Sequence, residues 1–402
     1  MDQQEIGEVV DWLVQLGLDG LDEAEMVASF CRKMRSLGIE LEQVAVFLDT
    51  LHPALEAKGY YWDVHDEAGT AQRDFLRLQA EDNLHQWRSS PFHYMLENGL
   101  GELRVLLSDG EEQPFDILND LRLAGHSDYF VQVHRLGNGN IIGDVDNLFS
   151  RWSTKRTGGF SEADLACLRR TVPALALAIK SAALRRIAGS LAEVYLGRDA
   201  ASRVLHGRIE RGKVDSIQTV LWFSDMRNYT SLSEKLHGSD LIAMLGGYAE
   251  AVISAVHGAG GDVLKLIGDG TLAIFNDTDP QQAASASLKA WHDLAQRVET
   301  LNLQRQEKGL ATTTVHVGLH VGEVFYGNIG SDERLDFTVI GPAVNEASRI
   351  VATSRKLNRP LLISQELFEL LTAKEAATFE DLGSSRLRGV QRKKRLHAPR
   401  HP

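Results

Sequence analysis

Three short stretches hold residues whose types and spacing suit phosphate chemistry. They are Phe223-Ser224-Asp225-Met226, Lys265-Leu266-Ile267-Gly268-Asp269-Gly270, and the segment from Thr338 through Asn345 to Arg349. Residues 216–223 read as a buried strand. Asp225 follows, where the chain passes into Met226-Arg227-Asn228-Tyr229-Thr230, a polar helix start whose backbone N–H groups could cradle phosphates. Asp269 lies in a Gly-Asp-Gly turn between apolar runs at 262–267 and 271–275, the pattern of a hairpin. Alone, Asp-Gly is a turn signal, and an Asp at a strand end is a helix cap. On neighbouring strands the two carboxylates could hold two divalent ions. Such pairs of ions clamp attacking and leaving oxygens in an in-line phosphoryl displacement.

The third stretch begins with a strand at 334–340. Gly341 and Pro342 follow, and Pro suits the first position of a helix. Asn345 and Arg349 then fall at i and i+4, so both project from one face. Arg offers a rigid fork of donors for phosphate oxygens, and Asn can hold a ribose. The plainer alternative makes Arg349 an exposed helix residue paired with Glu346.

With these motifs in order, residues 214–397 resemble the catalytic domain of a class III nucleotidyl cyclase. Phe-Ser-Asp-Met, Ile-Gly-Asp-Gly, the run from Val317 to Gly327, and Phe-Thr-Val-Ile-Gly with Val-Asn-Glu-Ala-Ser-Arg all carry the likeness. The resemblance implies an α/β (α+β) chain with a ferredoxin-like catalytic domain. It implies that Asp225, Asp269 and the Met226 carbonyl hold two Mg²⁺ or Mn²⁺ ions, with Arg227, Asn228, Tyr229 and Thr230 beside the phosphates. Lys265 and Thr338 would read the purine, Asn345 would orient the ribose, and Arg349 would stabilise the pentavalent α-phosphate. The site would form in a homodimer. One protomer would give the metal ligands with Lys265 and Thr338, and the other Asn345 and Arg349.

The selectors favour ATP. Adenine N1 accepts a hydrogen bond, which Lys265 can donate, and the adenine amino group can donate to the Thr338 hydroxyl. Each lost match in a buried pocket costs about 1–3 kcal/mol. The expected reaction is attack of the ribose 3′-OH on the α-phosphate, giving 3′,5′-cyclic AMP and pyrophosphate, an adenylate cyclase. A guanylate cyclase would need another residue, a Glu, at position 265. A silent pseudo-cyclase or signalling scaffold would have lost a metal Asp or the Arg. One departure stands out: Val390 falls where the family often supplies a triphosphate-binding Lys. Arg388, Arg392 or Lys393 are the available substitutes in a basic run that otherwise reads as solvated surface. Residues 398–402 read as a loose end.

Composition fits this reading. A chain of 402 residues with 43% apolar content can build two ordinary domains. The net charge of −12 disfavours nucleic acid and anionic membranes as partners. Two cysteines, Cys31 and Cys167, supply no disulfide framework and no zinc ligand set. Asp2, Glu5 and Glu8 interrupt the first stretch, so no signal peptide is expected. No apolar run reads as long enough to insert in a membrane, and a cytoplasmic location is expected.

The N-terminal half carries less chemistry. Residues 1–58 read as helical, with Val9, Val10, Trp12, Leu13 and Leu16 on one face and Val44, Phe47, Leu48 and Leu51 on another. Residues 59–175 read as a small antiparallel sheet with strands at 103–107, 129–133 and around Trp152. A hairpin signal lies at Gly137-Asn-Gly-Asn140, and Ser161 caps the helix that follows. This region resembles a GAF-like sensor for an unknown ligand or protein partner. Trp62, Trp87, Trp152, Phe92 and Tyr94 could line a pocket, although aromatics at such positions are usually core. His52, His65, His85 and His93 lack metal-ligand spacing. Residues 176–213 read as a helical linker. Leu177, Leu184, Ile187, Leu191 and Val194 suit either a short parallel coiled coil or an amphipathic helix packed on its own domain. Gly197 ends that helix, and a second short helix and turn over 201–212 resemble a transducing segment.

Overall fold

The computed structural model describes residues 2–52, 54–66, 69–76, 80–107, 114–137 and 147–400. They form two compact units, Met1–Leu191 and Ala192–Pro402.

The first unit opens with α1 (Gln3–Asp19) and α2 (Glu23–Ser36). Three strands follow, β1 (Gln43–Asp49), β2 (Leu55–Asp63) and β3 (Thr70–Leu76), then α3 (Ala80–Arg88) and α4 (Pro91–Glu97). β4 (Glu102–Leu106), α5 (Asp116–Leu123), β5 (Asp128–Arg135) and β6 (Asn147–Thr154) lead to the long helix α6 (Glu162–Leu196). The six strands form one antiparallel sheet in the order β3-β2-β1-β6-β5-β4. Side chains alternate across it. Phe130 and Trp152 meet α1, α2 and α6 on one face, while Tyr129, Val131 and Phe149 meet α4 and α5 on the other. The expected strands at 103–107, 129–133 and Trp152 are present, and the Ser161 hydroxyl accepts the Asp164 N–H at the start of α6. The hairpin signal from residue 138 onward lies outside the described residues.

Two expectations fail here. Val44, Phe47 and Leu48 are not on a helix: they belong to β1, a central strand paired with β2 and β6. A strand buried on both faces reads as a continuous apolar run, which helical spacing also fits. Consequently a boundary at 58 would cut through β2. The coiled-coil seam is also displaced, because Ile187 is 1% exposed in this unit's own core. Ile187 and Leu191 pack on that core as the amphipathic-helix reading has it, whereas Leu177 and Val194 are 63% and 52% exposed. Of the five aromatics, Trp62 and Trp152 lie in one core and Phe92 in the other, with Trp87 packed against it. Tyr94 is half-exposed against Phe115.

The second unit begins with α7 (Arg198–Leu205) and continues through β7 (Val214–Met226), α8 (Tyr229–Ser233) and α9 (Gly238–Gly258). Next come β8 (Asp262–Ile267), β9 (Gly270–Phe275), α10 (Pro280–Glu307), β10 (Val315–Gly330), β11 (Leu335–Ile340) and α11 (Pro342–Leu357). β12 (Leu361–Ser364), α12 (Gln365–Phe368), α13 (Ala373–Ala376), β13 (Phe379–Ser385) and β14 (Lys394–Pro399) complete it. The sheet order is β13-β14-β12-β10-β7-β9-β8, with β11 paired to β10. Its centre, β10-β7-β9-β8 with α9 and α10, is the expected ferredoxin-like βαββαβ arrangement. Val220 and Trp222 of β7 pack toward α9 and α10, and Leu221 between them packs toward α7 and α11.

Three details bear on the rest. Asp262, at the start of β8, accepts the backbone N–H groups of Arg198 (3.2 Å) and Asp199 (3.3 Å), capping α7. Helix α9 spans 21 residues and is long and apolar enough to cross a bilayer by length and composition. That corrects the sequence reading. Its Met244, Tyr248, Val252 and Val256 are buried in the core of this unit. Nor are residues 398–400 loose, since Ala398 is fully buried in β14 and Arg400 donates its N–H to Thr378.

Asp128 holds the first unit together at one point. Its fully buried carboxylate lies 2.8 Å from Arg104 Nη2 and accepts the Phe160 N–H at 2.9 Å. Hydrogen bonds to a charged group each contribute about 1.5–3 kcal/mol, so Asp128→Ala should cost about 2–3 kcal/mol. Urea unfolding followed by hydrogen exchange should show the loss in residues of the first unit, with those of β7 to β10 unchanged.

Candidate active site

The pairing of β7 with β9 brings the two carboxylates together. Asp225 is opposite Gly270 in the ladder, so Asp269, one residue earlier in the β8–β9 turn, lies beside it. A Cβ at Gly270 would fall 2.8 Å from the Ser224 carbonyl oxygen, so only glycine lets the turn approach this closely. Asp225 is still within β7, and α8 begins only at Tyr229, after Asn228 in a left-handed conformation (φ 57°).

Burial and the neighbouring Asp269 carboxyl push the Asp225 pKa up to about 7. Arg355, near the end of α11, works against this shift with Nη1 2.8 Å from Asp225 Oδ2. The other oxygen, Oδ1, is buried and has no hydrogen-bond partner. A buried acceptor left open next to a second carboxylate suits a cation ligand. Among the described residues no group of three or more His, Cys, Asp or Glu side chains converges on one point. The candidate donors are therefore Asp225, Asp269 and the Met226 carbonyl. Arg227 does not offer its N–H to a phosphate, because it donates to the Thr314 carbonyl at 2.8 Å.

Lys265 projects from β8 and forms an ion pair with Asp336 of β11. Thr338 follows two residues later on the same face of that strand. Helix α11 presents Asn345 and Arg349 to solvent, and neither side chain makes a hydrogen bond or ion pair with a described residue. Glu346 is not Arg349's partner. Its carboxylate lies 3.0 Å from His320 Nε2 and 2.7 Å from Lys394 Nζ.

A cleft of about 280 Å³ opens beside the carboxylates. Met226, Ile242, Gly246, Leu266, Asp269 and Gly270 are among its walls, but Lys265, Thr338, Asn345 and Arg349 are not. Around it Ile242, Leu266 and Ile267 are 71%, 53% and 51% exposed. In the β13–β14 turn, Val390 packs against the core of Ile350 and Leu396. Arg388, Arg392 and Lys393 are exposed without a partner among the described residues, whereas Lys394 and Arg395 are paired with Glu366 and Asp381.

Sequence reasoning missed Arg355 and Asp336. Asp336 was accessible, standing two residues before Thr338 on one strand face. Arg355 was not, because only the packing of α11 across the sheet brings it to Asp225.

Residues 212–398 match the model of the adenylate and guanylate cyclase catalytic domain. This segment belongs to the class III cyclase family. An adenylate cyclase of Anabaena cylindrica is 32% identical over 42% of this chain and 34% of its own length. Adenylate cyclase 1 of Rhizobium meliloti is 27% identical over 42% of this chain and 25% of its own. The adenylyl cyclase CyaB of P. aeruginosa, a solved structure, is 26% identical over 46% of this chain and 95% of that one, with a TM-score of 0.43. The chain thus spans about a third or less of the length of these two curated relatives.

The cyclase domain's raised Asp225 has a thermal signature. Its folded pKa exceeds the unfolded value, so the carboxyl contributes stability at low pH that is lost as pH rises through about 7. In metal-free buffer, Asp225→Asn should raise Tm at pH 8. At pH 5, where the folded carboxyl is protonated but the unfolded one is still ionised, the gain should be clearly smaller, and it should vanish below the ordinary carboxyl pKa of about 4. An equal gain at both values would contradict a raised Asp225 pKa.

Proposed function

We propose that the chain is an adenylate cyclase, converting ATP to 3′,5′-cyclic AMP and pyrophosphate at composite sites in a homodimer. The observation that carries this reading is the division of the site within one chain. Asp225 of β7 and Asp269 of the β8–β9 turn stand side by side, Lys265 of β8 pairs with Asp336 two residues before Thr338 on β11, and Asn345 and Arg349 stand on α11 without a partner among the described residues. Asp225, Asp269 and the Met226 carbonyl would hold two divalent ions, Mg²⁺ or Mn²⁺. Those ions, when bound, supply acidification of the 3′-OH and charge neutralisation at the triphosphate.

The chain's own residues do the rest. Lys265 donates to adenine N1 and the Thr338 hydroxyl accepts from the amino group. Asn345 of the second chain orients the ribose. Arg349 of that chain donates its fork to the α-phosphate oxygens as negative charge builds there. Positioning and charge stabilisation suffice, and no side-chain nucleophile takes part. Arg388, Arg392 and Lys393 are the free cations for the triphosphate end. The first unit acts as a sensor, GAF-like in its antiparallel sheet between helices, for a small molecule or a protein.

Purified full-length protein with ATP and Mg²⁺ or Mn²⁺ should yield cyclic AMP, and GTP should yield far less cyclic GMP. Asp269→Ala and Arg349→Ala should each lower turnover at least about 10²-fold. Co-expressed with different tags and isolated as the mixed dimer, the two variants should recover activity through one intact site. Recovery is incompatible with a site contained in one chain. Cyclic GMP as the main product would replace the adenylate reading with the guanylate one.

A further inference from the structure

Helix α11 is seated on β10 with unusual closeness. A Cβ at Gly318 would lie 2.5 Å from the Val351 backbone nitrogen, and one at Gly322 would lie 2.6 Å from Ala343 Cβ. Between them on the same strand face stands His320, 3% exposed, directly under the helix. Its Nε2 lies 3.0 Å from Glu346 Oε2, and its Nδ1 lies 2.9 Å from the hydroxyl of Ser364 at the end of β12. Lys394, the first residue of β14, reaches the same Glu346 oxygen at 2.7 Å and Glu366 of α12 at 2.6 Å. The His320 hydrogen bond first, and Lys394 second, hold the Glu346 carboxyl well below the usual range.

Glu346 lies between Asn345 and Arg349 in sequence, and its side chain, 16% exposed, is turned to His320 and Lys394 while those two are exposed. Two glycines permit the close approach, and Ala343, Ala347 and Ile350 supply an apolar, non-directional seat. Contacts from two strands to one carboxylate on the helix add a directional anchor. We propose that His320, Glu346 and Lys394 are positioning residues that fix the first turns of α11, and with them Asn345 and Arg349, for transfer at the α-phosphate. This rests on the composite-site reading above.

The mixed dimer tests it. Its single intact site takes Asn345 and Arg349 from the Asp269→Ala chain and the metal ligands from the Arg349→Ala chain. Glu346→Leu added to the Asp269→Ala chain should lower kcat about tenfold to hundredfold, with KM for ATP little changed. Added to the Arg349→Ala chain, it should cost at least about tenfold less. Glu346→Gln, which can still accept from His320 and Lys394, should restore most of the loss. If Glu346→Leu prevents folding, Lys394→Met keeps the aliphatic stem and should give the same asymmetry. Equal losses in both placements would make the network merely structural and overturn the proposal. A parent mixed dimer without activity would instead overturn the two-chain reading, and the proposal with it.

Discussion

The repulsion between Asp225 and Asp269 is the constraint around which the cyclase domain is built. Asp225, partly desolvated and beside a second carboxyl, favours neither folding nor its own ionisation. The ladder between β7 and β9 leaves no choice, since Asp225 opposite Gly270 fixes where the turn must fall. What offsets the cost is distributed: a core on each face of the sheet, and one guanidinium, Arg355, delivered from α11. Sites that store such tension are common where a charged ligand is meant to relieve it.

The polar groups of the candidate site divide into two kinds. Asp225 and Lys265 already have partners within the chain, Arg355 and Asp336. Asn345 and Arg349 have none among the described residues. Occupying the site therefore means exchanging existing ion pairs on one side and making new contacts on the other. Exposed pairs such as Lys265–Asp336 contribute little by themselves, so the exchange costs little.

Much of this was legible in the sequence because the elements are local. The apolar run into Asp225, the Gly-Asp-Gly turn and the Gly-Pro helix start are each specified within a few residues, and all lie where the spacing implied. β1 was not legible, because a strand buried on both faces erases the alternation that distinguishes it. Ile187 fits a heptad seam as well as it fits an internal core, and only tertiary packing decides between them. The partners of Asp225 and Glu346 come from elements far away in the chain, so spacing carries no trace of them. Helix α9 shows the opposite failure: its composition suits a bilayer, yet Tyr248 and its neighbours are spent on the sheet.

Asp262 turns the cap of a short helix into a lever. Its carboxylate grips the first turn of α7 through two backbone N–H groups, and Lys265 is only three residues further along the same strand. Between them β8 shifts register against β9, from Val263 to Lys265, which makes this the compliant part of the hairpin. The carboxylates lie beyond it, on the side braced by β7. A pull on α7 is therefore delivered first to Lys265 and its ion pair with Asp336, and only after that to the turn that carries Asp269.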